Sequence, residues 1–228
     1  MILDMNSFLF LAPAILLALW AQWRTKAAFA AAARLPAPLS GAAAARFILD
    51  SAGATDVGIE AVPGHLTDHY DPRGKVLRLS SDVYDSATLA AVGIAAHEAG
   101  HALQDAQGSA VMAIRNAAVG TANIGSGLGV FVLFIGLALA LKPLAWLGVA
   151  LFAGTVFFQL VNLPVEIDAS NRAKAQLVTL GIVPADEMPA VNDVLHAAAW
   201  TYVAATLQSI LTLLYYAHLI SGSSDSDR

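Results

Sequence analysis

The stretch Ala95–Gln104, AAHEAGHALQ, contains two histidines four residues apart and a glutamate directly after the first. Residues at positions i and i+4 lie on the same face of an α-helix, so His97 and His101 present their imidazoles one turn apart. One tetrahedral metal ion can bind both, and the adjacent Glu98 can act as general base on a metal-bound water. The H-E-x-x-H pattern therefore predicts a zinc site with His97 and His101 as ligands and Glu98 as a catalytic residue.

The amino-acid composition limits the kind of metal site. The chain has no cysteine, which excludes a disulfide framework and a thiolate site. Any zinc must be held by histidine and carboxylate groups, the ligand set of catalytic rather than structural zinc. A motif this short can also arise by chance, so its surroundings matter.

The overall composition is that of a membrane protein. Of the 228 residues, 57% are hydrophobic and 13% are charged, whereas a soluble domain is about 25% charged. The formal net charge is -5 and no run of lysine and arginine occurs, so nucleic acid is not a predicted partner. We predict a mainly α membrane protein that is embedded in the lipid bilayer.

Four apolar stretches are long enough to cross a bilayer. They are Ser7–Trp23, Gly125–Leu141, Leu144–Leu163 and Ala197–Ile220. A signal peptide is the alternative for the first, but its positive charges, Arg24 and Lys26, follow the apolar run instead of preceding it. Lys142-Pro143 makes a tight turn between the second and third apolar stretches, so these two stretches are predicted to form a transmembrane hairpin. An amphipathic lead-in at 109–124 precedes the hairpin.

The region before the motif predicts a small antiparallel β-sheet. Val57–Val62 alternates between apolar and polar residues, and the segments His65–Tyr70 and Lys75–Ser80 flank the turn signal Asp71–Gly74, DPRG. His65 and His69 are four apart, but in a strand they are too far apart to share an ion easily. We interpret them as polar strand residues.

Two helices are predicted around this sheet. Ser40 can cap a helix over Ala42–Asp50 that Gly53 ends. The motif helix is predicted over Ser86–Gln107, with Ser86 or Asp85 as its cap. It carries acidic residues at its ends and is short for a span, so we expect it to dock on the membrane domain without crossing the bilayer.

The positions of lysine and arginine predict the membrane topology. The loop between the first two spans carries Arg24, Lys26, Arg34, Arg46, Arg73, Lys75, Arg78 and Arg115, and the loop between the last two carries Arg172 and Lys174. The other side has Lys142 and Arg228. By the positive-inside rule, both termini lie outside the plasma membrane, and the motif and Glu166 face the cytoplasm.

A catalytic zinc site needs a third protein ligand. The candidates on the same side of the membrane are Glu166, Asp168, His65, His69 and His196. We favour Glu166, because it follows directly on an apolar span and a carboxylate at membrane depth is costly unless it is paired or bound to metal. The alternative is a surface glutamate paired with Arg172. The predicted metal ligands are thus His97, His101 and Glu166, for one Zn²⁺ per chain.

Three blocks of the sequence resemble a known family. They are Asp68–Gln104, Pro164–Ala173 (PVEIDASNRA) and Ala197–Ala205 (AAAWTYVAA), and together they resemble the YugP-type membrane-bound neutral zinc metallopeptidases. More distantly they are similar to the HtpX and CAAX-prenyl-type membrane proteases. In those families the glutamate of the second block completes the zinc site, which implies Glu166. The distant relatives carry aspartate four residues later, where this chain has Ser170, so Asp168 is the candidate for orienting a histidine.

The resemblance implies metal-assisted hydrolysis of a protein or peptide substrate. Zinc lowers the pKa of its water to about 7, and Glu98 takes the proton and returns it to the leaving amine. The strand Val76–Ser80 is a candidate for pairing with an extended substrate. Tyr202 is the catalytic candidate for stabilising the oxyanion, ahead of His196 and Arg172. The alternative for Tyr202 is an aromatic side chain at the membrane interface.

Two other functions remain open at this stage. An intramembrane protease would place H-E-x-x-H inside a span, and a membrane scaffold or chaperone would keep a zinc site for structure alone. A structural site has no use for a base such as Glu98, which favours catalysis. The glycine-rich run Gly125–Gly129 can pack helices within the chain, or between subunits of a homo-oligomer or with a membrane-protein partner.

These features divide the chain into five predicted segments. In order, they are the first transmembrane helix (1–26), a cytoplasmic zincin-like catalytic region (27–108), the lead-in and transmembrane hairpin (109–163), a cytoplasmic segment with the third zinc ligand (164–196), and the last transmembrane helix with a polar tail (197–228).

Overall fold

The structure is a computed structural model that describes residues 5–222 of the chain. Its helices are α1 (Met5–Ala32), α2 (Gly41–Ser51), α3 (Ser81–Tyr84), α4 (Leu89–Ala106), α5 (Ala110–Ile124), α6 (Val130–Ala138), α7 (Lys142–Thr179) and α8 (Met188–Gly222). Its strands are β1 (Gly58–Val62), β2 (His69–Asp71) and β3 (Val76–Ser80), and a π-helical turn at Gly125–Gly129 joins α5 to α6. The start of the first predicted segment (1–4) and the end of the polar tail (223–228) lie outside the described residues.

The prediction of a mainly α protein with four membrane-spanning helices is confirmed. Four helical stretches of the described chain are long and apolar enough to cross a bilayer, and they cover 8–32, 110–138, 142–179 and 188–222. They are longer than the apolar runs because backbone hydrogen bonding continues into the flanking polar residues. The predicted lead-in at 109–124 is itself part of the second span. Its Arg115 donates from Nε to Asn162 Oδ1 at 3.0 Å.

The polar segment after the third apolar run continues the same helix. The sequence analysis places a segment boundary between 163 and 164, where the composition turns polar. In the structure α7 runs through Pro164 to Thr179. Proline removes one helical hydrogen bond, but the rest of the helix persists. Glu166 therefore lies on the helix that carries the third span.

The small sheet is mixed, not antiparallel throughout. Its strand order is β1-β3-β2. β2 pairs antiparallel with β3, as expected from the turn between them, in which Asp71 Oδ1 accepts from the backbone N–H groups of Arg73 and Gly74. β1 pairs parallel with β3, because the chain crosses over through β2 before it returns. Alternation predicts a strand but not the direction of its partner.

The central position of β3 overturns one expectation. All five residues of Val76–Ser80 pair with β1, and Val76–Arg78 also pair with β2. Beyond that pairing, Asp68 Oδ1 accepts from the backbone N–H of Ser80 at 2.7 Å. A strand needs a free edge to add a substrate strand. The prediction that β3 pairs with substrate is therefore wrong.

Helix α2 follows its prediction closely, but the motif helix α4 begins later than predicted. Ser40 caps α2, since its side chain accepts from Ala43 N–H. The N-cap of α4 is Thr88, whose Oγ1 accepts from Ala91 N–H at 3.3 Å. Asp85 instead ends the short α3. Thr88 accepts from one of the otherwise unpaired N–H groups of the first turn, and Asp85 and Ser86 lie too early in the chain to do so.

The chain divides into two compact units. Unit 1 takes its described residues from 1–20, 113–164 and 201–228, and unit 2 comprises 21–112 and 165–200. Unit 2 contains the sheet, α2, α3, α4 and the C-terminal part of α7. Its core includes Ile48, Leu49, Leu77, Leu79 and Val92, all fully buried.

Glycines allow the close helix contacts within each unit. In unit 1, a Cβ on Gly125 would lie 2.5 Å from Leu151 O, and one on Gly129 would lie 3.0 Å from Phe152 N. The glycine-rich run therefore packs helices within the chain at these two positions.

In unit 2, α4 and α7 touch backbone to backbone at Gly100. A Cβ at this position would lie 2.5 Å from Ala169 O, closer than van der Waals contact permits. Backbone atoms cannot move aside as a flexible side chain does, so a larger residue has to push the helices apart. Gly100 stands between the two histidines of the motif.

We expect Gly100→Ala to lower the thermal stability of the detergent-solubilised protein. Overpacking of this kind costs about 1–3 kcal/mol, which outweighs the roughly 0.5–1 kcal/mol that alanine gains over glycine in a helix. The matched control is Gly120→Ala in α5, where a Cβ would meet nothing within 4 Å. The control is expected to leave the Tm unchanged or raise it. Equal Tm values for both variants would contradict the close contact.

Candidate metal site

The two motif histidines and the predicted third ligand lie together in unit 2. His97 and His101 project from α4, and Glu166 projects from α7. The ligand atoms of these three residues all lie within 4.8 Å of one another. Glu166 Oε2 is 3.2 Å from His97 Nε2 and 3.3 Å from His101 Nε2. Within residues 5–222 this is the only such cluster of potential ligands.

The spacing and the chemistry of these atoms fit zinc. Zinc binds nitrogen and oxygen at about 2.0–2.1 Å in tetrahedral geometry, which places neighbouring ligand atoms roughly 3.3 Å apart. The two distances from the Glu166 carboxylate agree with that value. Two imidazoles and one carboxylate also leave a fourth tetrahedral position open, as in catalytic zinc sites.

The neighbouring imidazoles explain why the Glu166 carboxylate is tolerated in a buried position. Glu166 is only 5% exposed, and an isolated carboxylate buried to that extent would be costly. Burial lowers the pKa of His101, but the hydrogen bond to Glu166 and the negative charges of Glu98 and Glu166 outweigh it, so the net pKa is raised. The carboxylate thus favours a positive charge beside it. A bound cation would take the place of that proton.

Each histidine has a second partner at its other ring nitrogen. His97 Nδ1 lies 3.1 Å from Ser170 Oγ, the position at which the distant relatives carry aspartate. His101 Nδ1 lies 2.9 Å from Gln104 Oε1. Asp168 accepts from Gln104 Nε2 at 2.8 Å and so reaches His101 through an intervening amide. Gln104 was not predicted as a site residue, although its position three residues after His101 in the motif helix places both on one face.

The other candidate ligands lie with different partners. Arg172 donates from Nε to Asp168 Oδ2 at 2.6 Å, so it does not take Glu166 as its partner. His65 Nδ1 lies 2.6 Å from Asp82 Oδ2, and His69 Nδ1 lies 2.8 Å from Thr67 O. His196 Nε2 lies 3.5 Å from Lys174 Nζ.

The two predicted catalytic residues differ in their surroundings. Glu98 follows His97 on α4 and is 8% exposed. Among the residues that the structure describes, none forms a hydrogen bond or ion pair with its carboxylate. Tyr202 lies on α8 in unit 1, where its backbone carbonyl accepts from Thr206 Oγ1 at 2.8 Å. Its assignment as oxyanion donor stays a prediction.

Comparison with known proteins agrees with this geometry. Residues 7–221 match the family described as "Putative neutral zinc metallopeptidase". The protein named "Putative membrane protease YugP" from Bacillus subtilis (strain 168) is 41% identical over 223 residues, which cover 96% of this chain and 99% of that relative. No solved structure matches the chain. The family match includes the motif, Glu166 and all four apolar helices, and the chain therefore belongs to this family of neutral zinc metallopeptidases.

Proposed function

We propose that this protein is an integral membrane zinc metalloendopeptidase that cuts membrane or membrane-proximal proteins at the cytoplasmic face. The observation that carries the proposal is the buried group of two imidazoles and one carboxylate with an unpaired carboxylate, Glu98, next to it. A structural zinc site would need the three ligands and a fourth, but no free base.

In this proposal His97, His101 and Glu166 hold one Zn²⁺ per chain. The ion would polarise the scissile carbonyl and make water a stronger acid. Glu98 takes the proton from the attacking water and passes it to the leaving amine. Two features support that role: the carboxylate has no partner among the described residues, and its charge acts on neighbouring His101. Tyr202 is the proposed donor to the developing oxyanion.

The place of the motif helix favours a protease beside the membrane over one inside it. The helix α4, Leu89–Ala106, is not among the four stretches of the described chain that qualify as spans. It also follows a turn-rich sheet with many exposed polar residues, which is unsuited to the bilayer interior. An enzyme of this design would reach peptide segments close to the bilayer surface.

We expect purified wild-type protein to retain one zinc per chain after dialysis, measured by elemental analysis. His101→Ala and Glu166→Ala remove one ligand each and are expected to lose most of the metal. His69→Ala is the matched control, because His69 is exposed on β2 and lies against Thr67 O. Zinc at about 100 times its Kd should stabilise the metal-free wild type by roughly 2.7 kcal/mol. Loss of zinc from the His69 variant alone would contradict this ligand set.

We expect Glu98→Gln to keep its zinc and lose peptide hydrolysis. Removing a general base lowers kcat by roughly 100- to 10,000-fold, whereas glutamine preserves the size of the side chain. The measurement is casein hydrolysis by detergent-purified protein, with Glu60→Gln as the control, since Glu60 lies exposed on β1. If Glu98→Gln holds zinc and hydrolyses casein at the wild-type rate, Glu98 is not the base. If the wild type holds zinc but is inert, a scaffold role becomes the better explanation.

The proposed topology can be tested with single cysteines, because the chain has none of its own. Arg73→Cys lies in the β2–β3 turn and Leu141→Cys between α6 and α7, and both positions are exposed. In intact cells we expect a membrane-impermeant maleimide to label Leu141→Cys and to label Arg73→Cys only after permeabilisation. The reverse pattern would place the catalytic region outside the cell.

A further inference from the structure

We infer that Gln104 is the positioning residue that holds His101 in the one tautomer able to bind the metal, and that Asp168 and Arg172 keep Gln104 in place. The inference rests on the proposed zinc site, but it concerns a residue outside the H-E-x-x-H ligands.

The two acceptors beside Gln104 fix the orientation of its amide group. Gln104 is 1% exposed. Its Nε2 lies 2.9 Å from the backbone carbonyl oxygen of Val165 and 2.8 Å from Asp168 Oδ2. A carbonyl oxygen can only accept, so the amide nitrogen must face it and both N–H groups are used. A flipped amide would set its oxygen against two acceptors.

This orientation places a hydrogen on Nδ1 of His101. With its nitrogen committed, Gln104 presents Oε1 to His101 Nδ1 at 2.9 Å. An amide oxygen accepts, so Nδ1 must carry the hydrogen. The carboxylate of Glu166, 3.3 Å from Nε2, favours a second hydrogen there, and a bound cation would take its place. With Nδ1 still protonated, the neutral imidazole then has its lone pair on Nε2. When the hydrogen on Nε2 leaves, the hydrogen bond from Nδ1 to Gln104 therefore keeps His101 in the tautomer that binds the metal through Nε2.

The amide is in turn held by residues that extend to the protein surface. Asp168 accepts from Arg172 Nε at 2.6 Å, and Arg172 also donates from Nη1 to Gln107 Oε1. His101, Gln104 and Gln107 are spaced three residues apart on one face of α4, and Asp168 and Arg172 lie one turn apart on α7. These contacts restrict the rotamer of Gln104 from both helices.

The other histidine has no such restriction. Ser170 Oγ, 3.1 Å from His97 Nδ1, is a hydroxyl that can donate or accept. It is compatible with either tautomer of His97. The inference therefore predicts that the two histidines respond differently to loss of their outer partners.

The competing explanation is that these hydrogen bonds only hold α4 against α7 and do not affect metal binding. A set of variants separates the two explanations. Gln104→Met preserves volume and removes all three hydrogen bonds. Arg172→Met removes only the outer contacts. Gln104→Glu keeps an acceptor for His101 but faces Asp168 with a second carboxylate, and adding Asp168→Asn supplies a donor in place of that charge.

The readouts are zinc affinity by chelator competition, the visible absorption spectrum of the cobalt(II)-loaded protein, and the Tm of the metal-free protein. We expect Gln104→Met to weaken zinc binding by roughly 10- to 100-fold and to change the cobalt spectrum. Arg172→Met should weaken it by clearly less than Gln104→Met does, because Gln104 keeps both of its acceptors. Gln104→Glu should bind zinc weakly. Gln104→Glu with Asp168→Asn should recover part of the affinity, because asparagine can donate to the new carboxylate although the Val165 carbonyl oxygen still lacks a donor.

Two results would overturn the inference. One is zinc affinity in Gln104→Met within about threefold of wild type, a smaller loss than such outer partners normally cause. The other is an equal loss of zinc affinity in Gln104→Met and Arg172→Met with an unchanged cobalt spectrum, which would show that the hydrogen bonds only hold the two helices together. If Gln104→Met does not fold, the double variant decides: zinc affinity no higher than that of Gln104→Glu would contradict the inference. Wild-type protein that binds zinc without hydrolysing peptides would refute the proposed activity alone.

Discussion

The backbone contact between Gly100 and Ala169 is the constraint on which the candidate site depends. His97 and Glu166 are 69 residues apart in the chain, and no local periodicity brings them together. They meet because α4 lies against α7 with no side chain at the crossing, where a Cβ would stand 2.5 Å from a carbonyl oxygen. A glycine between two ligands thus sets the separation of the imidazoles from the carboxylate.

Once the helices are in contact, the buried polar groups must satisfy one another. Glu166 faces two imidazoles, Gln104 uses both its oxygen and its nitrogen, and Asp168 lies between Gln104 and Arg172. A buried polar network is stable only when each member has a partner. Glu98, which is 8% exposed, lies outside this network.

The sequence predicted the parts of the site that follow from local rules. Helical periodicity places His97 and His101 on one face, and the cost of a carboxylate near the bilayer singles out Glu166. Gln104 was missed because an amide in a helix has no signature until the backbone carbonyl of Val165 lies beside it. The role of Tyr202 stays a prediction.

The fold was predictable to a similar depth. Hydrophobic runs located the four spanning helices, but not their ends, since α7 continues through Pro164 into polar sequence. Strand alternation located β1 and β3, but their parallel pairing depends on the path of the chain through β2. The cap of α4 is Thr88, three residues beyond the predicted Asp85, because Asp85 ends the short helix α3.

The most direct test of the central claim is the zinc K-edge X-ray absorption spectrum of the purified protein. We expect a shell of nitrogen and oxygen ligands at about 2.0–2.1 Å in four-coordinate geometry, with outer-shell scattering from two imidazoles. A spectrum with one imidazole, or with six ligands, would contradict the closing of a single tetrahedral site by His97, His101 and Glu166.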